Sequence, residues 1–309
     1  MSVRLVFLGT GSGKPTPQRG VSSVGLFREG ELLLFDCGEG TQTQLARSSL
    51  RPGPISTVFI SHFHGDHVNG LPGLLGSFTL NQRTEPIDVV GPVGLKKWFE
   101  TMRELRILWA GFPIRIHEVT EPGVAFRGDG WRVEAAPLKH RILTWGYVFV
   151  EDDRPGRFDL DAARAIGVPP GPLYGKLQRG EPVELADGRV VAPHEVLGVG
   201  RPGLRIAYCL DTSPCAGSAS LARDADLLIH EATYPAGEER LARERGHSTA
   251  ADAARCAKEA GAHRLVLTHI SQKHQRLDLY RDGAREIFAE TVVAHDLLEI
   301  DLERRESNI

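Results

Sequence analysis

The chain has 309 residues, of which 41% are hydrophobic and 25% charged, and it carries a net charge of −3. This length suffices for a large core, arranged as one large domain or two small ones. The charge excludes a protein that coats nucleic acid with a uniformly basic surface, so any contact with nucleic acid requires a local basic patch.

The cysteines and the apolar runs indicate the compartment. No two of the four cysteines form a CxxC pair, which disfavours a thiolate zinc site and fits a reducing environment. No apolar run approaches the roughly 20 residues that a membrane span requires. The first residues, MSVRLVFLGTGSG, predict a β-strand and a turn rather than a signal peptide. We therefore expect a cytoplasmic protein without a membrane segment.

Strands and helices alternate over the first third of the chain. Short β-rich apolar runs predict the strands, and the third strand leads directly into a cluster of histidines. The helices between them include one with Pro72 in its first turn. The predicted strands are 3–9, 31–38, 56–62 and 86–92, and the predicted helices are 39–48, 71–81 and 94–105.

Residues 114–150 predict successive short strands with little helix between them, and the alternation with helices resumes from residue 204. A helix is expected over 248–262, with Ser248 or Thr249 as its N-cap and Gly261 at its end. Three later strands each end on polar, potentially reactive residues: 204–211, 225–231 and 264–270.

Residues 151–203 differ from the rest of the chain because they are rich in Gly, Pro and charge. One short helix is expected near 159–166, and the remainder predicts a surface insertion. The surrounding strands and helices predict an α/β sandwich, in which two mixed sheets pack face to face with helices outside. Composition alone leaves a doubly wound fold open.

The segment SHFHGDH, residues 61–67, contains four potential metal ligands. Buried imidazoles and carboxylates are costly unless each finds a partner, and a metal ion could satisfy all four. His62 and His64 lie two residues apart where a strand ends, so both can point to one side. Gly65 is expected to permit a sharp turn, after which the aspartate and the last histidine face back. The spacing H-x-H-x-D-H favours two neighbouring metal ions over one.

Further ligand candidates follow other predicted strands. His140, Asp211 and His269 each come just after an apolar β-run, where loops gather at one edge of a sheet. Taken singly, each is more typical of a solvated loop residue or a helix cap. Beside the histidine cluster, the three together favour a shared metal site. Asp211 has two carboxylate oxygens and could therefore bridge two ions.

These motifs resemble the metallo-β-lactamase superfamily and, within it, the ribonuclease Z family of tRNA 3′-processing endonucleases. The resemblance rests on FLGTGSGKPTPQRGVSS, FDCGEGTQTQL and SHFHGDHVNGLPGLLGS. HEATY at 230–234 and GHST at 246–249 resemble later motifs of the family, and GPLYGKLQRG at 171–180 resembles a segment of its protruding arm. The resemblance covers nearly the whole chain.

The resemblance implies a four-layer αβ/βα sandwich over residues 1–309, with an arm inserted at 151–203. It also implies two zinc ions per subunit, with manganese as an alternative metal. With a carboxylate in place of His64, the ligand pattern would resemble that of the di-iron oxidoreductases that share this fold. The histidine therefore favours the hydrolytic members of the superfamily. One zinc would be held by His62, His64 and His140, the other by Asp66, His67 and His269, with Asp211 bridging them.

The implied reaction is hydrolysis of a phosphodiester in precursor tRNA, which leaves a tRNA 3′-hydroxyl and a 5′-phosphorylated trailer. Asp66 would bind metal and accept the proton of the attacking water. His247, oriented by Glu231, would protonate the leaving ribose oxygen. Glu231 could instead pair with an arginine, and His247 could simply precede a helix, so both roles depend on the HEATY and GHST motifs.

The implied tRNA contacts lie on the arm, whose tip carries Lys176 and Arg179 in a glycine-rich turn. Residues 151–195 contain six Lys or Arg against nine Asp or Glu, so the tip or other surfaces must supply the cations that phosphates need. Lys273 stands where the family leads us to expect arginine, and lysine contacts phosphate without a bidentate fork. The resemblance also implies a homodimer, in which an arm reaches the substrate of the other subunit.

Three alternatives stay open. The first is a phosphodiesterase or arylsulfatase of the same fold that acts on small esters, which the arm and the HEATY and GHST motifs disfavour. The second is a tRNA-binding or metal-sensing protein without turnover, which a complete ligand set with acid and base candidates disfavours. The third is a di-iron oxidoreductase, which His64 disfavours.

Overall fold

The computed structural model describes residues 3–274 and 276–304. They divide into two compact units, one of residues 3–150 with 205–302 and a smaller one of 151–204 with 303–304. No helix in the described ranges combines the length and hydropathy needed to cross a bilayer.

One sheet of the larger unit combines the N-terminal strands with the last strand of the chain. With strands numbered along the chain, its members within the described residues are β1 (Val3–Gly9), β2 (Ser23–Arg28), β3 (Glu31–Phe35), β4 (Ile55–Phe59), β5 (Ile87–Pro92), β6 (Ile114–Val119) and β16 (Glu299–Leu302). Their order across the sheet is β16-β1-β2-β3-β4-β5-β6. Because β3 to β6 run parallel, the carboxyl ends of these strands meet at one edge.

The second sheet is also mixed. Its described strands are β7 (Gly123–Gly128), β8 (Trp131–Pro137), β9 (Trp145–Glu151), β12 (Arg205–Cys209), β13 (Leu227–Glu231), β14 (Leu265–Thr268) and β15 (Thr291–Val293). They lie in the order β15-β14-β13-β12-β9-β8-β7, with β12 to β15 parallel. The loops after β12, β13 and β14 therefore leave the sheet at the same edge.

A layer of aromatic side chains joins the two sheets. Phe35 stacks on Phe59 with ring centroids 5.0 Å apart, and Tyr147 of the second sheet lies 5.5 Å from Phe59. The Tyr147 hydroxyl donates to the carbonyl of Ile60 at 2.7 Å, so this tyrosine is buried without an unpaired polar group. The bond holds the end of β4 just before the histidine cluster.

Helices cover the outer faces of both sheets of the larger unit. Phe78 and Phe99 are buried against the first sheet, and Ala253, Ala254 and Ala257 are buried against the second. These layers form the α/β sandwich expected from the sequence, and the doubly wound alternative is wrong. The helices are α1 (Thr41–Arg47), α2 (Gly65–Val68), α3 (Leu71–Leu80), α4 (Leu95–Glu104), α7 (Ala216–Ala222), α8 (Glu239–Arg245), α9 (Ala250–Glu259) and α10 (Leu277–Arg285).

Most predicted elements lie where the pattern placed them. The first strand covers 3–9 as expected, and the N-cap of α9 is Thr249, whose hydroxyl accepts from the Asp252 backbone N–H in a capping box. Strand β2 was missed because Gly25 interrupts its apolar run. In the structure Gly25 leaves space for Leu50, whose side chain would lie 2.5 Å from an added Cβ.

The smaller unit has its own core, although its sequence predicted little regular structure. Leu177, Val183 and Val191 are buried together with Ala163. The helix expected near 159–166 is present, but the segment of Lys176 is helical rather than a glycine-rich turn, and Arg179 is the C-cap of that helix. The described elements are α5 (Leu160–Ile166), α6 (Pro172–Gln178), β10 (Val183–Glu184), β11 (Val190–Val191) and a 3₁₀-helix (Pro193–Glu195).

Candidate metal centre and active site

Three histidines form a first group of ligand atoms. Nε2 of His62 lies 3.0 Å from Nδ1 of His64, which lies 3.3 Å from Nε2 of His140. His62 and His64 follow β4, whereas His140 follows β8, so the two sheets contribute jointly. Burial lowers the pKa of His62 well below its ordinary value, which keeps its ring neutral and able to bind a metal. His140 donates from Nδ1 to the carbonyl of Gly246 at 2.8 Å, which leaves Nε2 for the metal.

A second group lies beside the first. Nε2 of His269 and Nε2 of His67 lie 3.3 and 3.6 Å from Oδ2 of Asp66. His64 is the N-cap of α2, so Asp66 and His67 occupy its first turn. The prediction of a sharp turn at Gly65 is wrong, because this residue begins the helix. The absence of a Cβ at Gly65 leaves room for the Asn69 side chain.

Asp211 lies between the two groups and presents one oxygen to each. Its Oδ1 is 3.5 Å from Nε2 of His67 and 3.3 Å from Nε2 of His269. Its Oδ2 is 3.8 Å from Nε2 of His62 and 3.9 Å from Nε2 of His140. The structure thus brings together all seven predicted ligands, and it places Asp211 where a bridging carboxylate would stand.

The residues of this site suit divalent cations. Within the described residues, Oδ1 of Asp211 and Nε2 of His67 are buried without a hydrogen-bond partner, although such atoms are costly to leave unpaired. Burial opposes protonation of His67, but Asp211 and Asp36 outweigh it and raise the pKa of this histidine well above its ordinary value. The same negative surroundings stabilise a metal cation, and the donors are those that zinc and manganese accept.

Asp36 orients His67 and was not singled out from the sequence. Its carboxylate accepts from Nδ1 of His67 at 2.7 Å, from the Ser61 hydroxyl at 2.9 Å and from the Tyr208 hydroxyl at 2.8 Å. These bonds direct Nε2 of His67 toward Asp211. The position of Asp36 just after β3, at the same sheet edge as the other ligands, was the signal available in the sequence.

Glu231 and His247 form a hydrogen-bonded pair next to the ligands. Nδ1 of His247 donates to Oε1 of Glu231 at 2.9 Å and lies 4.0 Å from Oδ2 of Asp211. Burial alone would lower the pKa of His247, but Glu231 and Asp211 raise it to about 9. The imidazole therefore holds a proton at neutral pH. Glu231 bonds to His247, Thr212 and Thr233, which accounts for its burial without the arginine considered above.

The loop after β1 closes the site at Asp66. The backbone N–H of Gly13 donates to Oδ2 of Asp66 at 2.7 Å, so the GTGSG turn brings backbone close to the candidate metal ligands. A cavity of about 240 Å³ opens here, and Lys14, Glu39 and His64 line it with Asp66. Lys14 is thus a cation beside the site, although it was not among the site residues predicted from the sequence.

The three predicted tRNA contacts are exposed side chains, Lys273 in the larger unit and Lys176 and Arg179 in the smaller one. Lys273 is exposed, four residues after His269. Lys176 is exposed on α6, and Arg179 forms an exposed ion pair with Glu181 at 2.8 Å.

The fold and site define a class. The pattern of the Metallo-beta-lactamase superfamily matches residues 17–269. The crystal structure of human tRNase Z, short form, superimposes with a TM-score of 0.71 and 33% identity, covering 96% of this chain and 98% of that one. The zinc-bound PqqB of Methylobacterium extorquens shares the fold at 16% identity and a TM-score of 0.63, covering 97% of this chain and all of that one.

Curated relatives narrow the class. Ribonuclease Z of Myxococcus xanthus is 48% identical over 272 residues, which is 88% of each chain. Ribonuclease Z of Methanothermobacter thermautotrophicus is 42% identical over 306 residues, or 99% of each chain. The chain belongs to the metallo-β-lactamase superfamily and, within it, to the ribonuclease Z family.

Proposed function

We propose that this chain removes the 3′ trailer from tRNA precursors, as a zinc-dependent endoribonuclease with two ions in its site. Membership of the ribonuclease Z family supports tRNA 3′ processing by a metal-dependent nuclease. The structural observation that carries the mechanism is the placement of Asp211. One of its oxygens faces each ligand group, and the Glu231–His247 pair lies beside it.

Seven residues of the chain would hold the metals. Bound metal ions would make a water nucleophilic at neutral pH and offset charge on the phosphoryl oxygens. The nitrogen and oxygen donors of these seven residues support zinc, and manganese is the alternative. One ion would take His62, His64 and His140, the other Asp66, His67 and His269, with Asp211 shared.

Asp66 would bind metal and accept the proton of the attacking water. Burial would raise the pKa of its carboxyl, but the bond to His269 and the charge of His67 outweigh burial and lower it. Asp66 is therefore ionised at neutral pH, which is the state required of a ligand and of a proton acceptor. Lys14, which lines the cavity beside it, is placed to contact a substrate phosphate.

His247 would protonate the leaving ribose 3′-oxygen. Glu231 binds Nδ1 and so fixes the ring, while the other nitrogen, Nε2, is left to act on substrate. A pKa of about 9 supplies the proton at neutral pH. The products are a tRNA with a 3′-hydroxyl and a trailer with a 5′-phosphate.

We propose residues 151–203 as the tRNA-binding arm, with Lys176 and Arg179 as contacts there and Lys273 as a contact near the site. Exposure of all three supports this assignment. The ion pair between Arg179 and Glu181 is exposed, so it costs little to exchange for a phosphate.

The proposed assembly is a cytoplasmic homodimer. An apolar surface on the larger unit suits a second copy of the chain: Leu80 is 82% exposed and Trp109 75% exposed. Their segments are adjacent because the Thr79 hydroxyl donates to the carbonyl of Trp109. Leu105 and Ile107 are exposed in the same segment as Trp109, and exposed apolar groups of this kind mark interaction surfaces.

The test is a cleavage assay on a labelled tRNA precursor with a 3′ trailer, with zinc or manganese added. We expect a cut just after the discriminator nucleotide, lost in His64→Ala. Metal-dependent hydrolysis of a chromogenic phosphodiester without any cut in the precursor would overturn the proposal in favour of a small-ester phosphodiesterase. Binding of precursor without turnover on either substrate would favour the non-enzymatic alternative.

A further inference from the structure

The hydroxyl of Thr233 lies between the proton-donor pair and a metal ligand. Its Oγ1 is 2.7 Å from Oε2 of Glu231 and 2.8 Å from Nδ1 of His269. Thr233 follows β13, and its side chain is buried with both partners. Thr233 is neither a predicted ligand nor part of the proton-donor pair, but it connects the two halves of the site.

The direction of each hydrogen bond follows from the partners. Glu231 receives N–H groups from Thr212, His247 and Thr233, a set that only an acceptor carboxylate satisfies. The single hydroxyl proton of Thr233 therefore goes to Glu231. The oxygen of Thr233 is then left to accept, so Nδ1 of His269 carries the proton.

The consequence falls on the metal-binding atom of His269. A proton on Nδ1 leaves Nε2 deprotonated, and Nε2 is the atom that faces Asp66 and Asp211, at 3.3 Å from each. A carboxylate connected in this way to a ligand imidazole also holds its ring in place.

We infer that Thr233 is a positioning residue through which one carboxylate, Glu231, serves both halves of the site. Oε1 of Glu231 orients His247, and Oε2 orients His269 through the Thr233 hydroxyl. The inference deepens the proposed function and rests on it for the assignment of His269 as a ligand.

Backbone contacts hold Thr233 in place independently of its hydroxyl. Its carbonyl accepts from the Tyr280 hydroxyl at 3.1 Å and from the Ser271 N–H at 3.3 Å. Replacement by valine, which has the same shape, therefore removes the hydroxyl bonds to Glu231 and His269, together with a longer contact to Nδ1 of His247 at 3.3 Å, while the segment stays anchored. Serine restores the hydroxyl without the methyl group.

The test measures zinc binding, not RNA cleavage. Wild type, Thr233→Val and Thr233→Ser would be dialysed against a series of chelator-buffered zinc concentrations, and bound zinc counted per chain. Thr291→Val is the matched control, because the Thr291 hydroxyl is equally buried but donates only to the backbone carbonyl of Phe288.

We expect Thr233→Val to require about 10- to 100-fold more free zinc to fill one of its two zinc equivalents, with the other unchanged. Thr233→Ser and Thr291→Val should follow the wild-type curve. The inference is overturned if Thr233→Val binds zinc as wild type does, if Thr291→Val shows the same shift, or if serine fails to restore binding. Failure of the proposed function is a separate result, since it appears as intact zinc curves without cleavage of precursor tRNA.

Discussion

Nδ1 of His67 donates to Oδ2 of Asp36 at 2.7 Å, and both side chains are fully buried. The bond fixes the histidine with its other nitrogen toward Asp211. Because the carboxylate also accepts from Ser61 and Tyr208, its position is set by both sheets. The metal site therefore depends on a residue that would touch no metal.

Asp36→Asn should weaken zinc binding about 10- to 100-fold, because an amide neither carries the charge nor accepts on both atoms. Excess zinc should restore part of the activity. Chelator competition and cleavage assays measure the two effects. Asp88→Asn is the control, since Asp88 also binds a histidine, His117 at 2.7 Å, but lies outside the ligand groups. Wild-type zinc affinity in Asp36→Asn would contradict the role.

His247→Gln should lower kcat on precursor tRNA about 10²- to 10⁴-fold, because the leaving ribose oxygen needs a proton. Hydrolysis of bis(p-nitrophenyl) phosphate should fall far less, since p-nitrophenolate leaves without one. Steady-state kinetics on both substrates measure the ratio, with the exposed His263→Gln as control. An equal loss on both substrates would show that His247 acts on the metal site instead of on the leaving group.

Asp252 should stabilise the protein only while it is ionised. Burial would raise the pKa of its carboxyl, but bonds from Arg243, the Thr249 N–H and Arg255 lower it. Because the pKa of Asp252 is lower in the folded protein than in the unfolded chain, its ionised carboxylate stabilises the fold at pH values above the unfolded-chain pKa, which is near 4. This stabilisation is lost as the pH falls from there toward the folded-state pKa. We expect Asp252→Asn to cost about 2 kcal/mol at pH 7 and progressively less below about pH 4.

Urea denaturation of both proteins at a series of pH values measures this difference. EDTA in every sample keeps the loss of metal at low pH out of the comparison. Asp301→Asn is the control, because its ion pair with Arg4 is exposed and should be worth less than about 1 kcal/mol. A cost for Asp252→Asn that stays constant down to pH 3 would disprove the ionic contribution.

Lys176→Ala combined with Arg179→Ala should weaken precursor tRNA binding and spare hydrolysis of a small phosphodiester. Two lost phosphate contacts should also reduce the slope of log Kd against log salt by about 1 to 2. Filter binding at several salt concentrations measures the slope. Arg164→Ala on α5 provides a control within the same unit. Equal losses of tRNA binding and of small-phosphodiester hydrolysis would contradict the assignment of residues 151–203 as the tRNA-binding arm.

Trp109→Asp should convert the proposed homodimer into monomers, because a buried charge in an apolar interface is costly. Sedimentation velocity gives the mass. Val124→Asp is the control, as Val124 is also exposed but lies on β7. A wild-type protein that sediments as a monomer, or a Trp109→Asp protein that stays dimeric, would remove this surface as the interface.

The convergence of the seven candidate ligands was predictable because a local pattern carries most of them. The spacing within SHFHGDH places four ligands around one turn of chain, and His140, Asp211 and His269 each follow an apolar β-run. Strand ends share an edge, so the sequence predicted their convergence before any distance was known. The roles of Glu231 and His247 came from resemblance to a family, because one glutamate and one histidine carry no pattern of their own.

The sequence by itself determined the sandwich, most strands of its two sheets and the chemical types at the site. Only the tertiary structure decided which oxygen of Asp211 faces which histidines, and which residues stand behind the ligands. Asp36 and Thr233 act through bonds to residues 31 and 36 positions away, with distances of 2.7 and 2.8 Å. Each of these bonds joins the segments that follow two neighbouring strands, β3 with β4 and β13 with β14. Pairing between strands that are distant in the chain leaves no periodic signal in the sequence.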